Sequence, residues 1–174
     1  GGGTIHYRLE FFDAKTNQPI SLKNFKFTGV DVDGSQTFQE FIEVSHFDSY
    51  EISSSTDLTI TTETNGRTRF TGAKVSYVDP VTGSGIYIND EGTFIANYSS
   101  GVNTFDFVFG KKGGNTAARH FSSQLGEGLF QFQQPVTFFN PFPVAVEDYS
   151  AICHGTIGMI GNVFSNDIYN GHAA

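Results

Sequence analysis

Tryptophan is missing from this chain, and cysteine and methionine occur once each. With Cys153 alone, no disulfide can form within one molecule. Charge is scarce as well: 16% of residues are Asp, Glu, Lys or Arg, against about 25% in an average soluble domain. Lys and Arg number 10 and Asp and Glu 18, which gives a formal net charge of −8. That balance argues against a phosphate-binding surface and against nucleic acid as a partner. No apolar run approaches the roughly 18 residues of a membrane-spanning helix, and no leader-type segment opens the chain. Gly1, Gly2 and Gly3 read as a processed end or scar. What is plentiful is glycine (20) and phenylalanine (19) in 174 residues. That length suits one domain, which buries about 70% of its unfolded surface and needs no disulfide or metal to be stable.

Alternation with period two dominates. Ile5, Tyr7, Leu9 and Phe11 interleave with His6, Arg8 and Glu10, the pattern of a half-buried strand. Residues 13–19 (DAKTNQP) make a turn, Phe25 and Phe27 belong to a second strand, and residues 31–34 (DVDG) make another turn. A strand follows over 38–45, where Phe41 hints at a bulge or at burial on both faces. Leu58 and Ile60 sit in a threonine-rich stretch over 56–64, suited to a strand with one wet face, and Asn65-Gly66 marks a tight hairpin. Strands are expected over 67–78, 86–88, 94–98 and 104–109, the last with Phe105, Phe107 and Phe109 on one face. Residues 110–114 (GKKGG) read as a loop, and weaker strands as 119–122, 129–132 and 136–139. No segment repeats its apolar residues every 3.6 positions. The expected fold is an all-β antiparallel β-sandwich, jelly-roll or Ig-like, with few or no helices and Phe supplying the core. Asn140-Pro141-Phe142-Pro143 stiffens the chain where the domain (4–139) is expected to end. Residues 144–174 form a tail too short for a core of its own.

Residues 4–139 resemble the β-sandwich modules of large bacterial surface adhesins. The landmarks are an opening strand running into EFFDAKTNQPISLKNFKFTGVDVDG, the Ser49-Tyr50 pair, NYSSGVNTFDFVFG and a closing ARHFSS. The tail, with PVAVED and then GNVFSNDIYNG over 161–171, is similar to the opening of a tandem Ig-like or cadherin-like repeat. The resemblance implies an extracellular, cell-surface module that grips peptides, sugars or other surfaces, in some cases with calcium. Cys153 and His154 depart from the usual threonine-rich repeat start.

Candidate chemistry is sparse. Asp31 and Asp33 are two apart, so on extended chain both carboxylates point one way, and Glu40 or Glu43 could add oxygens for calcium. The simpler reading is a tight Asp-Gly turn. Asp90 and Glu91, with Asp79 upstream, pose the same alternative. The five histidines show no metal-ligand spacing, and Cys153 and His154, as neighbours, would face opposite ways on a strand. No G-x-S-x-G elbow occurs, and the 110–114 glycines lack the phosphate-loop pattern. The Asn97-Tyr98-Ser99 triplet fits glycosylation but is common by chance. An intramolecular Lys–Asn cross-link would suit a force-bearing module, with Lys23, Lys26 or Lys74 as donor, yet nothing in the sequence selects a trio. The expected job is therefore non-enzymatic: a module of a surface adhesin that binds a ligand or serves as a stalk unit, with calcium as a candidate cofactor. A filament subunit assembled by strand donation between copies is the alternative, with a carbohydrate-active enzyme third.

Overall fold

The computed structural model describes residues 2–74, 86–114, 120–127 and 130–140, and the backbone of two short strands further on. Among these residues there is no helix. The strands are β1 (Gly3–Glu10), β2 (Phe25–Val30), β3 (Phe38–Val44), β4 (Ser49–Ser53), β5 (Leu58–Thr62), β6 (Thr68–Gly72), β7 (Phe94–Tyr98), β8 (Thr104–Gly113), β9 (Ser122–Gly126) and β10 (Pro135–Phe139). Near the C-terminus β11 (Ile168–Tyr169) pairs with β12 (His172–Ala173).

Two antiparallel five-stranded sheets make a β-sandwich, as expected. Their orders are β1-β8-β3-β6-β5 and β10-β4-β7-β2-β9. Because β1 to β4 alternate between sheets, the chain winds around the core rather than meandering. The set 1-8-3-6 facing 2-7-4 is a jelly-roll plan and not the Ig grouping. One departure is plain: β5 hairpins onto β6, and β10 takes the place beside β4.

Phenylalanine fills the interior in place of tryptophan. Phe70 of one sheet stacks on Phe94 of the other at 3.7 Å between ring centres, and Phe25 stacks on Tyr98 at 4.6 Å. Phe27 wedges between Phe94, Phe105 and Phe107. The Tyr98 hydroxyl, buried with its ring, donates to the Ser45 carbonyl at 2.7 Å. Burial, with the nearby Asp48 charge adding to it, pushes that phenol well above its ordinary pKa.

Local readings fare unevenly. The Asn65-Gly66 hairpin is present: the Gly66 N–H donates to the Glu63 carbonyl, and Gly66 adopts φ +79°, which a side chain would resist. Phe41 is buried on a strand buried on both faces, and its ladder runs without a bulge. Residues 110–113 are not a loop. They extend β8, because Lys111 lies in register with both Gly3 and Glu40. Residues 86–88 join no strand, and Ile88 is exposed. Phe130 and Phe132 are likewise outside any strand, and the expected 119–122 strand is shifted to Ser122–Gly126. β4 was not anticipated. β1 alternates as read but is exposed along its whole length rather than half-buried. Asn140 is buried, and its amide donates to the Phe47 carbonyl at 2.9 Å, so it belongs to the fold. Residues 141–143, most of the tail, Lys74's successors over 75–85, Cys153 and His154 lie outside the described residues.

Candidate functional site

The outer face of the first sheet carries one of two concavities among the described residues. Residues opposite one another in a ladder share a face, so register builds two cross-strand rows there. The first runs Thr59, Thr71, Phe41, Gly110; the second runs Thr61, Arg69, Glu43, Val108. From these rows Thr59, Thr71, Phe41, Thr61 and Arg69, with Gln39, Glu63 and Lys112, line a shallow groove of about 310 Å³.

Its floor is aromatic and clamped. The Phe41 ring lies against Gly110, where a Cβ would fall 2.1 Å from ring Cζ. Arg69 lies over that ring, with Cζ 4.4 Å from its centre. The guanidinium is held by carboxylates: Nη2 donates to Glu43 Oε1 at 2.6 Å, and Nε lies 3.3 Å from Glu63 Oε1. Arg67 approaches the other Glu43 oxygen at 3.9 Å. Glu43, only 5% exposed, is thereby neutralised, which burial of a carboxylate demands. Above the floor stand the hydroxyls of Thr59, Thr61 and Thr71, the Gln39 carboxamide and the Lys112 ammonium. With Arg69 and Lys112 against Glu63, the groove lining is locally positive on an acidic protein.

The acids proposed as calcium ligands fall elsewhere. Asp31 has φ +58°, and the segment after it meets the second acidic turn, since the Val32 N–H donates to the Gly92 carbonyl at 3.1 Å. The two loops read as separate in sequence are thus neighbours. Glu40, 2% exposed, accepts from the Asp33 N–H through Oε2 at 3.4 Å, and its own N–H donates to the Asp33 carbonyl. Asp90 accepts from the Gln133 N–H, while the Glu91 carbonyl accepts from Asp57 and Thr56. Asn89 Oδ1 caps the Gly92 N–H at 2.7 Å, the ordinary device of an Asx turn. Among the described residues, no three Asp, Glu, His or Cys side chains come together as a metal-ligand set. Glu43 is buried beside the groove, paired with Arg69 and Arg67.

A second concavity, about 380 Å³, opens beside the β2–β7 pair, against Asn24, Phe25, Lys26, Asn97, Tyr98, Ser99 and Glu127. Here Lys26 of β2 stands directly opposite Asn97 of β7; Ser49 of β4 faces Asn97 on the far side, and Glu51 lies diagonally, opposite Ile95. Asn97 Nδ2 donates to Glu51 Oε1 at 2.9 Å and to Ser49 Oγ at 3.3 Å, while Lys26 Nζ is 3.9 Å from the same Oε1. An asparagine amide engaged in this way in a central strand makes a poor glycan acceptor, so the glycosylation triplet is better read as strand. Beside it, the Asp48 carboxylate accepts the N–H and hydroxyl of both Ser99 and Ser100, a clamp at the strand end.

Neither outer-face constellation is visible as a motif, because each draws one or two residues from each of several strands. Only the ladder register could have found them. No family model matches the chain, and comparison with curated proteins and with solved structures likewise gives no match.

Proposed function

We propose that this chain is a non-enzymatic, extracellular module of a bacterial cell-surface adhesin, and that its groove binds a polyhydroxylated, glycan-like ligand. The observation that carries the ligand is the pair of cross-strand rows. Threonine hydroxyls, a carboxamide and an ammonium stand over a rigid aromatic–guanidinium floor, the mixture of apolar face and polar rim that sugar rings require. The adhesin setting is supported by the sequence resemblance. The buried Glu43 carboxylate beside the groove is spent on two arginines, which supports binding over catalysis.

Titration of an oligosaccharide panel against the protein, followed by calorimetry, tests this. The double variant Thr59→Val and Thr71→Val keeps β propensity but removes two hydroxyls, each worth about 0.5–1.5 kcal/mol of hydrogen bonding. Affinity should fall by about tenfold or more, since 1.4 kcal/mol is tenfold. A panel with no binder, or a binder indifferent to both substitutions, sinks the reading.

A filament subunit is the second reading, favoured by β1. Ile5 (55%), Tyr7 (41%) and Leu9 (37%) are exposed along one row of an edge strand, the kind of edge that invites strand addition. Light scattering separates the two. A filament subunit forms concentration-dependent chains that Ile5→Lys with Leu9→Lys dissolves, whereas an adhesin module is monomeric throughout.

A further inference from the structure

The tip of the β5–β6 hairpin carries chemistry that the groove does not use. We propose that Asn65 is a site of spontaneous deamidation in the folded protein, and that its conversion to aspartate and isoaspartate loosens the hairpin that walls the groove. The conversion needs no ligand.

Two asparagines in the chain precede a glycine, Asn65 and Asn170, and Asn65 lies among the described residues. The glycine matters because a missing side chain leaves the next amide nitrogen free to reach the carboxamide. Asn65 is exposed, and nothing stands within 4 Å of the place a Gly66 Cβ would take. The turn also curls the side chain back. Asn65 Oδ1 accepts from the Arg67 N–H at 3.1 Å, an Asx turn that folds the carboxamide over the peptide bond joining Asn65 to Gly66. That donor polarises the carboxamide and is placed to stabilise negative charge on Oδ1 as a nucleophile adds to Cγ. The Gly66 N–H itself donates to the Glu63 carbonyl at 3.1 Å, so this contact must open before the nitrogen attacks. The opening is local, because the Glu63 N–H donates to the Arg67 carbonyl at 2.8 Å on the next rung.

Water is the co-reactant. Hydroxide takes the Gly66 amide proton, and the nitrogen adds to Asn65 Cγ to close a five-membered ring. The Cγ–Nδ2 bond breaks, and Nδ2 takes a proton from solvent and leaves as ammonia, so that a succinimide remains. Water then adds to either ring carbonyl. Opening at Cγ gives aspartate; opening at the main-chain carbon gives isoaspartate, whose backbone runs through Cβ and Cγ. In sum, a carboxamide and a water become a carboxylate and an ammonium ion. Either product sets a new negative charge two residues from Glu63, whose Oε1 lies 3.3 Å from Arg69 Nε. Isoaspartate also adds an atom to the main chain of a turn whose register sets Thr61 opposite Arg69. Thr61, Glu63 and Arg69 line the groove, so its wall slackens in one direction with time.

Peptide mapping by mass spectrometry tests this on the full chain, aged in mildly alkaline buffer either folded or in urea. In the folded chain the peptide holding Asn65 should gain the mass of an amide-to-acid exchange, with isoaspartate as well as aspartate in the product. Asn65→Gln should show no gain there, and the Asn170 peptide is mapped separately. Hydrogen exchange on the converted fraction, isolated by ion exchange, should show Thr62 and Thr68 losing protection while β3 holds. Asn65→Asp, which adds the charge without the extra backbone atom, should lose less. Conversion in urea but not in the folded chain overturns the proposal, since the fold would then shield Asn65. Conversion that leaves hairpin protection unchanged overturns the loosening.

Discussion

β1 and β3 flank the same strand. Each pairs antiparallel with β8 over seven or eight consecutive positions, and each presents alternate side chains to the sandwich interior. Yet β3 keeps five consecutive residues buried, and β1 keeps none. The ladder is therefore not what buries a strand. β3 has a neighbour on both edges, β2, β7 and β4 across the core, and its own outer face packed by Arg69; β1 ends its sheet, and its inward row of Ile5, Tyr7 and Leu9 overhangs the opposite layer. Tyr7 does stack on Phe107 at 4.9 Å, so the overhang is a shelf joined to the core rather than a loose end.

The widest split should come from deleting matched aliphatic side chains. Ile42, 1% exposed, lies opposite Phe109 in β8, and Ile42→Ala should cost about 2–5 kcal/mol through lost burial and the cavity left behind. Leu9, opposite Phe105 in the same strand, is 37% exposed, and Leu9→Ala should cost about 1 kcal/mol. Urea melts of the two variants decide the matter; equal losses would mean that β1 is covered in solution.

A smaller effect is expected from adding atoms rather than removing them. Gly110 in β8 lies under Phe41, whose ring is held down by Arg69, so Gly110→Val forces ring and guanidinium upward. Overpacking of this kind costs about 1–3 kcal/mol and should open the groove floor as well. Gly3 in β1 has nothing within 4 Å of an added Cβ, and Gly3→Val should be neutral or gain a few tenths of a kcal/mol from β propensity. If Gly110→Val melts with the wild type, the clamped floor is not rigid.

The same contrast explains what could be read from the chain. Alternation names strands and their inward rows, and Phe105, Phe107 and Phe109 fall on one face as read. It is blind to which strand ends a sheet, so the half-burial expected of β1 failed. β4 escaped because Ser49–Ser53 carries only Tyr50 and Ile52 between polar residues, too short a pattern to count. GKKGG read as a loop because glycine usually breaks strands. In β8 two of those glycines are wanted: Gly110 makes room for Phe41, and Gly113 takes φ +75° as the strand ends. The groove and the Lys26–Asn97–Glu51 trio depend on register across strands distant in sequence, which pairs residues 26 with 97 and 43 with 69. Local pattern carries no such information. The turn read at Asn89 is present, but the one read over 31–34 falls later, where the Ser35 N–H donates to the Phe38 carbonyl.

The finest distinction between the two strands is electrostatic. β1 is fastened to β8 on its outer face by Arg8, whose Nε and Nη2 bond the two Asp106 oxygens at 2.9 and 3.1 Å. That hydrogen bond, then the charges of Arg8, Arg67 and His46, hold the Asp106 carboxyl below its ordinary value. A carboxyl lowered on folding adds stability in full above the ordinary carboxylate range, near pH ~4, and loses it as pH falls through the folded value. Asp13, in the turn that follows β1, is lowered by the Thr16 N–H and acts in the same direction. Hydrogen exchange between pH 6 and 3, corrected for intrinsic rates, should therefore show β1 amides losing protection first while β3 amides hold. Asp106→Asn should flatten most of that dependence in β1 and leave β3 untouched. Surface ion pairs contribute little at best, so the change is confined to one edge strand and should not move the global melt at neutral pH. Simultaneous loss in β1 and β3 would show that the two strands open as one unit, and that the exposed edge is no weaker than the core it borders.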